Sequence, residues 1–176
     1  MQNLKTHYHP EVIDLENKSV FTRLTTRSIV INGDSILLLY TKRYEDYSLP
    51  GGGLDVNEDK IEGMKRELNE ETGAQNIRNI KPFGIYEEYR PWYKPDFDVQ
   101  HMISYCYTCD INTALGNTSL EAYETNNGMK AVWVNIHIAI AHNIKIMATS
   151  DKKGMSIERE TFLLQRIAES KKLSSI

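Results

Sequence analysis

Residues Leu49 to Ala74 read LPGGGLDVNEDKIEGMKRELNEETGA, the chain's densest stretch of chemically informative residues. Glu67, Glu70 and Glu71 are spaced i, i+3 and i+4, which places three carboxylates on one face of a helix. Like charges so close together repel one another. A hard divalent cation such as Mg²⁺ would remove that repulsion, because it binds oxygen ligands. A solvated acidic face explains most charge runs equally well, so the three glutamates alone leave both interpretations open.

Capping residues set the limits of the predicted helix. Asp59 suits the N-cap position, and Glu62, three residues later, completes a pattern like a capping box. Gly73 suits the position just past the C-terminus. The helix is therefore predicted to run from Lys60 to about Thr72. One stripe of side chains is suited to packing on a sheet, formed by Ile61, Met64, Leu68 and Thr72.

Glycines and one arginine connect this helix with a possible ligand. The run Gly51–Gly53 lets the backbone approach a ligand closely, although most glycine runs are simple turns. Gly63 costs about 1 kcal/mol relative to alanine in a helix interior, which a close neighbour would explain. Arg66 lies four residues before Glu70 and can pair with its carboxylate. The surroundings of the glutamates thus favour a built site over a solvated face.

Composition bounds the class of protein. The 176 residues suit one domain with a real core. The net charge of −3 offers no basic excess for duplex nucleic acid. No apolar run reaches the roughly 18 residues of a membrane span, and the first residues have no signal-peptide core. We therefore expect a soluble cytoplasmic protein that binds neither membrane nor duplex.

Cysteine usage points away from redox chemistry and zinc. The only two cysteines are Cys106 and Cys109, within a predicted strand. Residues three apart on a strand point to opposite faces, and no second pair completes a zinc site. Both cysteines are predicted to be structural.

The rest of the chain alternates strand and helix patterns. SIVI and SILLLYT read as a hairpin turning through Asn32–Asp34, and Gly84 marks a bulge or bend in a later strand. Asn135 suits the N-cap of a short helix. These patterns predict an α/β or α+β fold with a mixed sheet. Residues 1–20 are expected to form a solvated N-terminal arm, 21–150 the domain itself, and 151–176 a C-terminal helix packed on it.

Eight positions at fixed spacing resemble the signature of a known family. Gly52, five residues, Glu58, seven residues, and then the run REL-x-EE-x-G from Arg66 to Gly73 are similar to the Nudix box. Two departures are mild, because Ala74 stands where a larger aliphatic residue is usual and Asn57 where glycine often precedes the first glutamate. The resemblance implies the Nudix fold, an α/β/α sandwich around a mixed sheet. It also implies Mg²⁺- or Mn²⁺-dependent hydrolysis of a nucleoside diphosphate linked to another moiety X.

The same resemblance implies roles for individual residues. Glu67, Glu70 and Glu71 would hold the metal, with the backbone carbonyl of Gly51 as a further ligand. Arg66 would orient a glutamate, and Glu58 would support the box or a further metal. The catalytic group implied in this way is Arg66, Glu58, Glu67 and Glu70.

The general base and the substrate contacts stay open at this point. A box glutamate can take the proton, or one on a distant loop, for which Glu121 and Glu124 are candidates, with Glu87 and Glu88 weaker ones. Arg43 and Arg90 suit phosphate. Aromatic surfaces are available for a base at Tyr44, Tyr47, Tyr89, Trp92 and Tyr93.

Several functions fit these observations. The leading hypothesis is a pyrophosphohydrolase, acting either on an ADP-ribose or nucleotide-sugar type of substrate or on a nucleoside triphosphate. A non-catalytic nucleotide sensor is the alternative, although that class commonly loses box carboxylates. An isomerase on the same scaffold would need a different acid/base set. A homodimer is also possible.

Overall fold

The computed structural model describes the backbone of residues 1–12 and 14–174, with side chains up to residue 171. Within this part of the chain there are eight strands and four helices. The strands are β1 (Asn3–Tyr8), β2 (Val20–Ile29), β3 (Ile31–Asn32), β4 (Ser35–Thr41), β5 (Asp46–Ser48), β6 (Arg78–Pro91), β7 (Val99–Asp110) and β8 (Met129–Asn135). The helices are α1 (Lys60–Thr72), α2 (Ala122–Asn126), α3 (Ile136–Thr149) and α4 (Ile157–Ser174).

The first sheet is mixed and has the order β1-β6-β7-β2. Strands β6 and β7 are antiparallel, whereas β1 runs parallel to β6 and β2 runs parallel to β7. The register of the β6–β7 pair shifts between Pro82 and Gly84, which confirms the predicted bulge. A methyl group added at Gly84 would lie 2.5 Å from Leu4 Cγ, so this glycine lets β1 pack closely.

The second sheet is built around β4, which pairs with β3, β5 and β8. The predicted hairpin is confirmed by the pairing of Ile31 with Ile36. Hydrogen bonds join the two sheets beside the glycine run. Ser28 N donates to Pro50 O at 2.8 Å, and Thr25 forms an isolated antiparallel bridge with Gly53. The glycine run therefore lies where the two sheets meet.

Alternation along the strands divides the core into two layers. On β4, Ile36 and Leu38 pack with α3 and α4, whereas Leu37 packs with Met64 and Leu68 of α1. The two cysteines alternate in the same way, are buried and free, and lie in different layers. Helices thus cover both sides of the strands, which confirms the predicted α/β/α arrangement around a mixed sheet. No helix in the described residues has the length and apolarity needed to cross a bilayer.

Several local predictions differ from the structure. The N-terminal segment, predicted as a solvated arm, contributes the edge strand β1, whose partner β6 lies far along the sequence. Glu62 forms no capping box, because its carboxylate accepts from Lys65 Nζ at 2.7 Å instead. Asp59 caps the helix alone, accepting from the N–H groups of Ile61 and Glu62. Ile61 is 37% exposed, so the buried stripe is shorter than expected.

The C-terminal half also contains more helix than predicted. Helix α3 begins after its predicted N-cap Asn135 but continues to Thr149. Helix α2 interrupts the expected irregular connection. Helix α4 buries its predicted apolar residues, including Leu164 and Ile167, against the sheet. The end of the predicted C-terminal segment, residues 175–176, lies outside the described residues.

Asn143 of α3 acts as a hydrogen-bonding partner for the short strand β5. The side chain is fully buried; Oδ1 accepts from Tyr47 N at 2.9 Å and Nδ2 donates to Tyr47 O at 2.8 Å. One amide side chain therefore satisfies both backbone groups of a strand residue.

Replacing Asn143 with alanine is expected to lower the free energy of unfolding by about 2–4 kcal/mol, because two buried backbone groups lose their partners. Urea unfolding would measure the change. Lys145→Ala, two residues away on the exposed side of the same helix, is the control and should change it by less than about 0.5 kcal/mol. Equal stability of the two variants would contradict the role.

Candidate active site

Arg66 is the hub of a cluster of carboxylates on α1 and the loop before it. Its Nε and Nη2 donate to the two oxygens of Glu58 at 2.8 and 2.9 Å. Its Nη1 donates to Glu67 at 2.8 Å and to Glu70 at 3.2 Å, which is the predicted i,i+4 pair. Nη2 also donates to Gly53 O at 3.1 Å. One guanidinium thus holds three carboxylates and one backbone carbonyl.

Glu58 closes the loop onto the helix. Hydrogen bonds from Arg66 lower the pKa of Glu58 to about 2, with a further contribution from the N–H of Asp55. A methyl group at Gly63 would lie 2.3 Å from Leu54 Cδ2 and 2.9 Å from Glu58 Oε2. The mid-helix glycine is therefore explained by the loop that packs against it.

Glu67 lies against the glycine run. A methyl group at Gly52 would lie 2.4 Å from Oε2 of Glu67. Any larger residue at position 52 would therefore displace this carboxylate. Burial raises the pKa of Glu67, although the hydrogen bond from Arg66 opposes that change.

Glu71 is the most buried carboxylate of the box, with 4% of its surface exposed. Its Oε2 accepts from Gly51 N at 2.6 Å. Burial raises the pKa of Glu71 to about 8, and the charges of Glu67 and Glu124 contribute in the same direction. Gly51 has φ +140°, and a methyl group there would lie 2.1 Å from Thr26 O.

Of the two distant base candidates, Glu124 is the one beside the box. It is 6% exposed, and its charge acts on Glu71. Its Oε2 accepts from Glu121 N at 2.7 Å, and its Oε1 accepts from the hydroxyl of Tyr123 at 3.1 Å. Glu121 is exposed at the start of α2. The base therefore stays a prediction, with Glu124 better placed than Glu121.

The donor set fits a hard divalent cation. Glu67, Glu71 and Glu124 bring carboxylate oxygens and excess negative charge into a largely buried space, and such oxygens are the ligands that Mg²⁺ prefers. Within residues 1–12 and 14–174, however, no three His, Cys, Asp or Glu side chains converge as a finished metal site. Arg66 engages two of the three predicted metal-binding carboxylates, Glu67 and Glu70, in this arrangement.

A buried charge network supports the loop from behind. Arg27 of β2 lies 3.5 Å from Glu160 of α4, and Glu160 Oε2 accepts from Leu49 N at 2.9 Å. Arg159 donates to Glu160 and also to Glu88. The sequence analysis did not predict roles for Arg27, Arg159 and Glu160. Their only local signal was that each charged residue lies close in sequence to apolar residues that are buried.

The two weaker base candidates have structural partners. Glu88 is 4% exposed and paired with Arg159. Glu87 accepts from Asn3 and contacts His101 at 3.0 Å. Neither carboxylate has a described contact with the box.

Arg23 is a candidate phosphate contact that the sequence analysis did not single out. It is exposed on β2, and a methyl group at Gly53 would lie 2.9 Å from its Nη2. Among the described residues, no carboxylate lies within ion-pair distance of Arg23. Its signal in the sequence was slight, since it is one basic residue in the mostly exposed first half of its strand.

The predicted substrate contacts do not form one cluster. The charge of Arg23 acts on Arg90, and Trp92 packs on Phe21, which is on the same strand as Arg23. Burial lowers the pKa of Arg90, and the charge of Arg23 contributes in the same direction. The Trp92 ring packs 5.1 Å from Phe21 and 4.5 Å from the exposed Tyr93.

The other predicted contacts lie elsewhere. Tyr47 packs against Tyr40 and His142 and has its backbone tied to α3. Tyr89 is stacked between two other rings, those of Tyr8 and His101. Arg43 and Tyr44 form part of a separate surface pocket.

The box occupies a loop and a helix, with its glycine run where the two sheets meet, which is an arrangement of the hydrolase type. A family profile described as NUDIX domain matches residues 22–155. The chain belongs to this family, which confirms the resemblance found in the sequence. A solved NUDIX hydrolase from Nitrosomonas europaea has a similar fold, with a TM-score of 0.56 and 16% identity over 84% of this chain and 90% of that one.

Two curated relatives match shorter segments. An RNA pyrophosphohydrolase of Bartonella henselae is 42% identical over 57 residues, which are 32% of this chain and 30% of that protein. An RNA pyrophosphohydrolase of Ruthia magnifica is 33% identical over 76 residues, or 42% of this chain and 40% of that protein. The matched segments thus span less than half of either relative.

Alanine substitutions at Gly51 and Gly52 are expected to affect different properties, stability in the first case and activity in the second. Gly51→Ala places a methyl group against the backbone carbonyl of Thr26, at a residue with positive φ. The free energy of unfolding should therefore fall by at least about 2 kcal/mol. Gly52→Ala displaces only the flexible Glu67 carboxylate, so stability should change by about 1 kcal/mol or less while activity falls at least about tenfold. Urea unfolding and phosphate release measure the two effects, and full activity of Gly52→Ala would contradict the role of Glu67.

Proposed function

We propose that the protein is a divalent-metal-dependent pyrophosphohydrolase, which cleaves a nucleoside diphosphate linked to a further moiety. The observation that carries this proposal is the complete set of box carboxylates around Arg66, with buried Glu71 beside Glu124. Mg²⁺ or Mn²⁺ is the expected ion. A cytoplasmic location and a homodimer remain predictions from the sequence alone.

The chemistry requires charge neutralisation and an activated water. A divalent ion bound by the carboxylates would neutralise phosphate oxygens and acidify a bound water. Arg66 keeps Glu67 and Glu70 oriented, and the N–H of Gly51 holds Glu71. In this proposal the Glu124 carboxylate accepts the proton of the attacking water, and its charge acting on Glu71 supports that choice. Arg23 is the proposed contact for a phosphate of the substrate, because no carboxylate in the described part of the chain is within ion-pair distance of it.

The names of the two relatives guide the choice of substrates to test. Both are named RNA pyrophosphohydrolases, so 5′-triphosphorylated RNA belongs on a panel with nucleoside triphosphates, ADP-ribose and a nucleotide sugar. Phosphate release with and without Mg²⁺ tests the function. Tight nucleotide binding without turnover of any substrate would favour the sensor alternative.

Replacing Glu71 with glutamine is expected to lower kcat by about 10²–10⁴-fold, because a buried carboxylate of the proposed metal site is lost. The fold should remain intact, since the amide oxygen can still accept from Gly51 N. Mg²⁺ should raise the melting temperature of the wild type more than that of the variant, because binding stabilises only the folded state. Glu62→Gln on the exposed side of the same helix is the control, and equal metal-dependent turnover by Glu71→Gln would refute the assignment.

Replacing Arg23 with alanine is expected to raise KM by about tenfold, with a smaller change in kcat, because a charge-assisted hydrogen bond to phosphate is lost. Steady-state kinetics on the best substrate of the panel measures both constants. Arg78→Ala removes an exposed arginine on another strand and is the matched control. A KM equal to that of the control would exclude Arg23 from substrate binding.

A further inference from the structure

A basic surface pocket lies at the C-terminal end of α2, the helix that carries Glu124. It has a volume of about 790 Å³ and is lined by the turn after β4, the turn after α2 and Lys152 from the α3–α4 connection. Three of its lining residues are the cations Lys42, Arg43 and Lys152, and none is acidic. Of the described residues, no carboxylate lies within ion-pair distance of these three cations. The pocket therefore favours an anion.

Backbone hydrogen bonds fix the walls of this pocket. Lys42 N donates to Gly128 O at 3.3 Å, and Arg43 N donates to Asn127 O at 3.0 Å. The guanidinium of Arg43 also donates to Asn127 Oδ1 at 3.1 Å. A methyl group at Gly128 would lie 2.9 Å from Lys42 Cβ, so the two turns are in close contact. These contacts fix the turn that carries Lys42 and Arg43 against the turn after α2.

An aromatic ring accompanies the cations. Tyr44 lines the pocket, and the guanidinium of Arg43 lies 5.5 Å from the centre of its ring. Amide side chains of Asn126 and Asn127 complete the polar lining. Cations beside an aromatic ring are the elements with which proteins hold single-stranded nucleic acid, through the backbone phosphates and a stacked base.

The short helix α2 connects the pocket with the catalytic carboxylates. Just before this helix, Ser119 N donates to the backbone carbonyl of Glu70 at 2.7 Å, and the helix itself ends at Asn126 in the wall of the pocket. The pocket is far larger than one phosphate, and its cations are exposed on the surface. A substrate whose 5′ phosphates lie at the box can thus continue past α2 into it.

We propose that the Lys42–Arg43–Lys152 pocket binds a downstream phosphodiester and base of a single-stranded, 5′-phosphorylated oligonucleotide. This inference rests on the proposed function for the chemistry at the 5′ end. The inference adds that the substrate is longer than one nucleotide. It also adds that the protein recognises nucleotides of the substrate that take no part in the reaction. Binding energy from such a remote part can raise kcat/KM.

The test compares 5′-triphosphorylated RNAs of two, four and eight nucleotides with a nucleoside triphosphate. Wild-type kcat/KM is expected to rise about tenfold or more from one nucleotide to four, a gain of the size of one stacked base and its phosphate. Lys42→Ala/Lys152→Ala should lower kcat/KM about tenfold more for the four-nucleotide RNA than for the mononucleotide. The slope of log kcat/KM against log salt should become shallower by about 0.7 per lost phosphate contact.

A matched control removes two exposed lysines elsewhere. Lys81→Ala/Lys145→Ala has the same net charge as the test variant, and it should retain the length dependence. An equal loss for both substrates in the test variant would place a terminal phosphate in the pocket and overturn the proposal. Wild-type kcat/KM that does not depend on length would overturn it too, while leaving the hydrolase function in place.

Direct binding separates failure of this inference from failure of the proposed function. Fluorescence anisotropy without metal measures the affinity for a labelled, 5′-monophosphorylated eight-nucleotide RNA. Weaker binding by Lys42→Ala/Lys152→Ala than by the control variant supports the pocket even if no substrate is hydrolysed. Equal affinity of the two variants counts against it even if hydrolysis is found.

Discussion

The contacts of Arg66 with three carboxylates are the interaction on which the rest of the site depends. Glu58, Glu67 and Glu70 would repel one another at this separation, and one guanidinium replaces that repulsion with hydrogen bonds. The same group reaches Gly53 O and so fixes the loop to the helix. Glu71 has no described bond to Arg66 and depends on Gly51 N instead, and its burial raises its pKa, so its charged form is disfavoured.

Behind the loop, a buried layer of charge sets the position of the glycines. Arg27, Arg159, Glu88 and Glu160 are all less than 10% exposed, and each contacts an opposite charge. Removing charges from water is costly, so such a network is weak evidence of stability. Its bond to Leu49 N nevertheless ties α4 to the first residue of the box region. Position, rather than net stability, is what this layer contributes.

Local patterns predicted the box correctly, and non-local contacts were missed. The Asp59 cap, the Gly73 stop and the close neighbour of Gly63 all arise within 20 residues, where spacing alone constrains geometry. Pairing of β1 with β6 and the approach of Glu124 to Glu71 join segments with no shared periodicity. Capping by Glu62 failed for another reason, since Lys65 competes for its carboxylate. The fold class was predictable because the periodicity of strands and helices is a local property of the sequence. The ion-pair partners of most buried charged residues were not predictable, because they lie far apart in the sequence.

The site depends on the parallel pairing of β2 with β7. These strands are more than 60 residues apart in the sequence, and the whole box lies between them. Closing so large a loop is slow compared with helix formation, because its entropy is lost before any contact compensates. The glycine run takes its neighbours Thr25, Thr26 and Ser28 from β2, and β2 is held in the first sheet by its pairing with β7. The carboxylate site is therefore supported by a long-range strand contact that the sequence of the box does not contain.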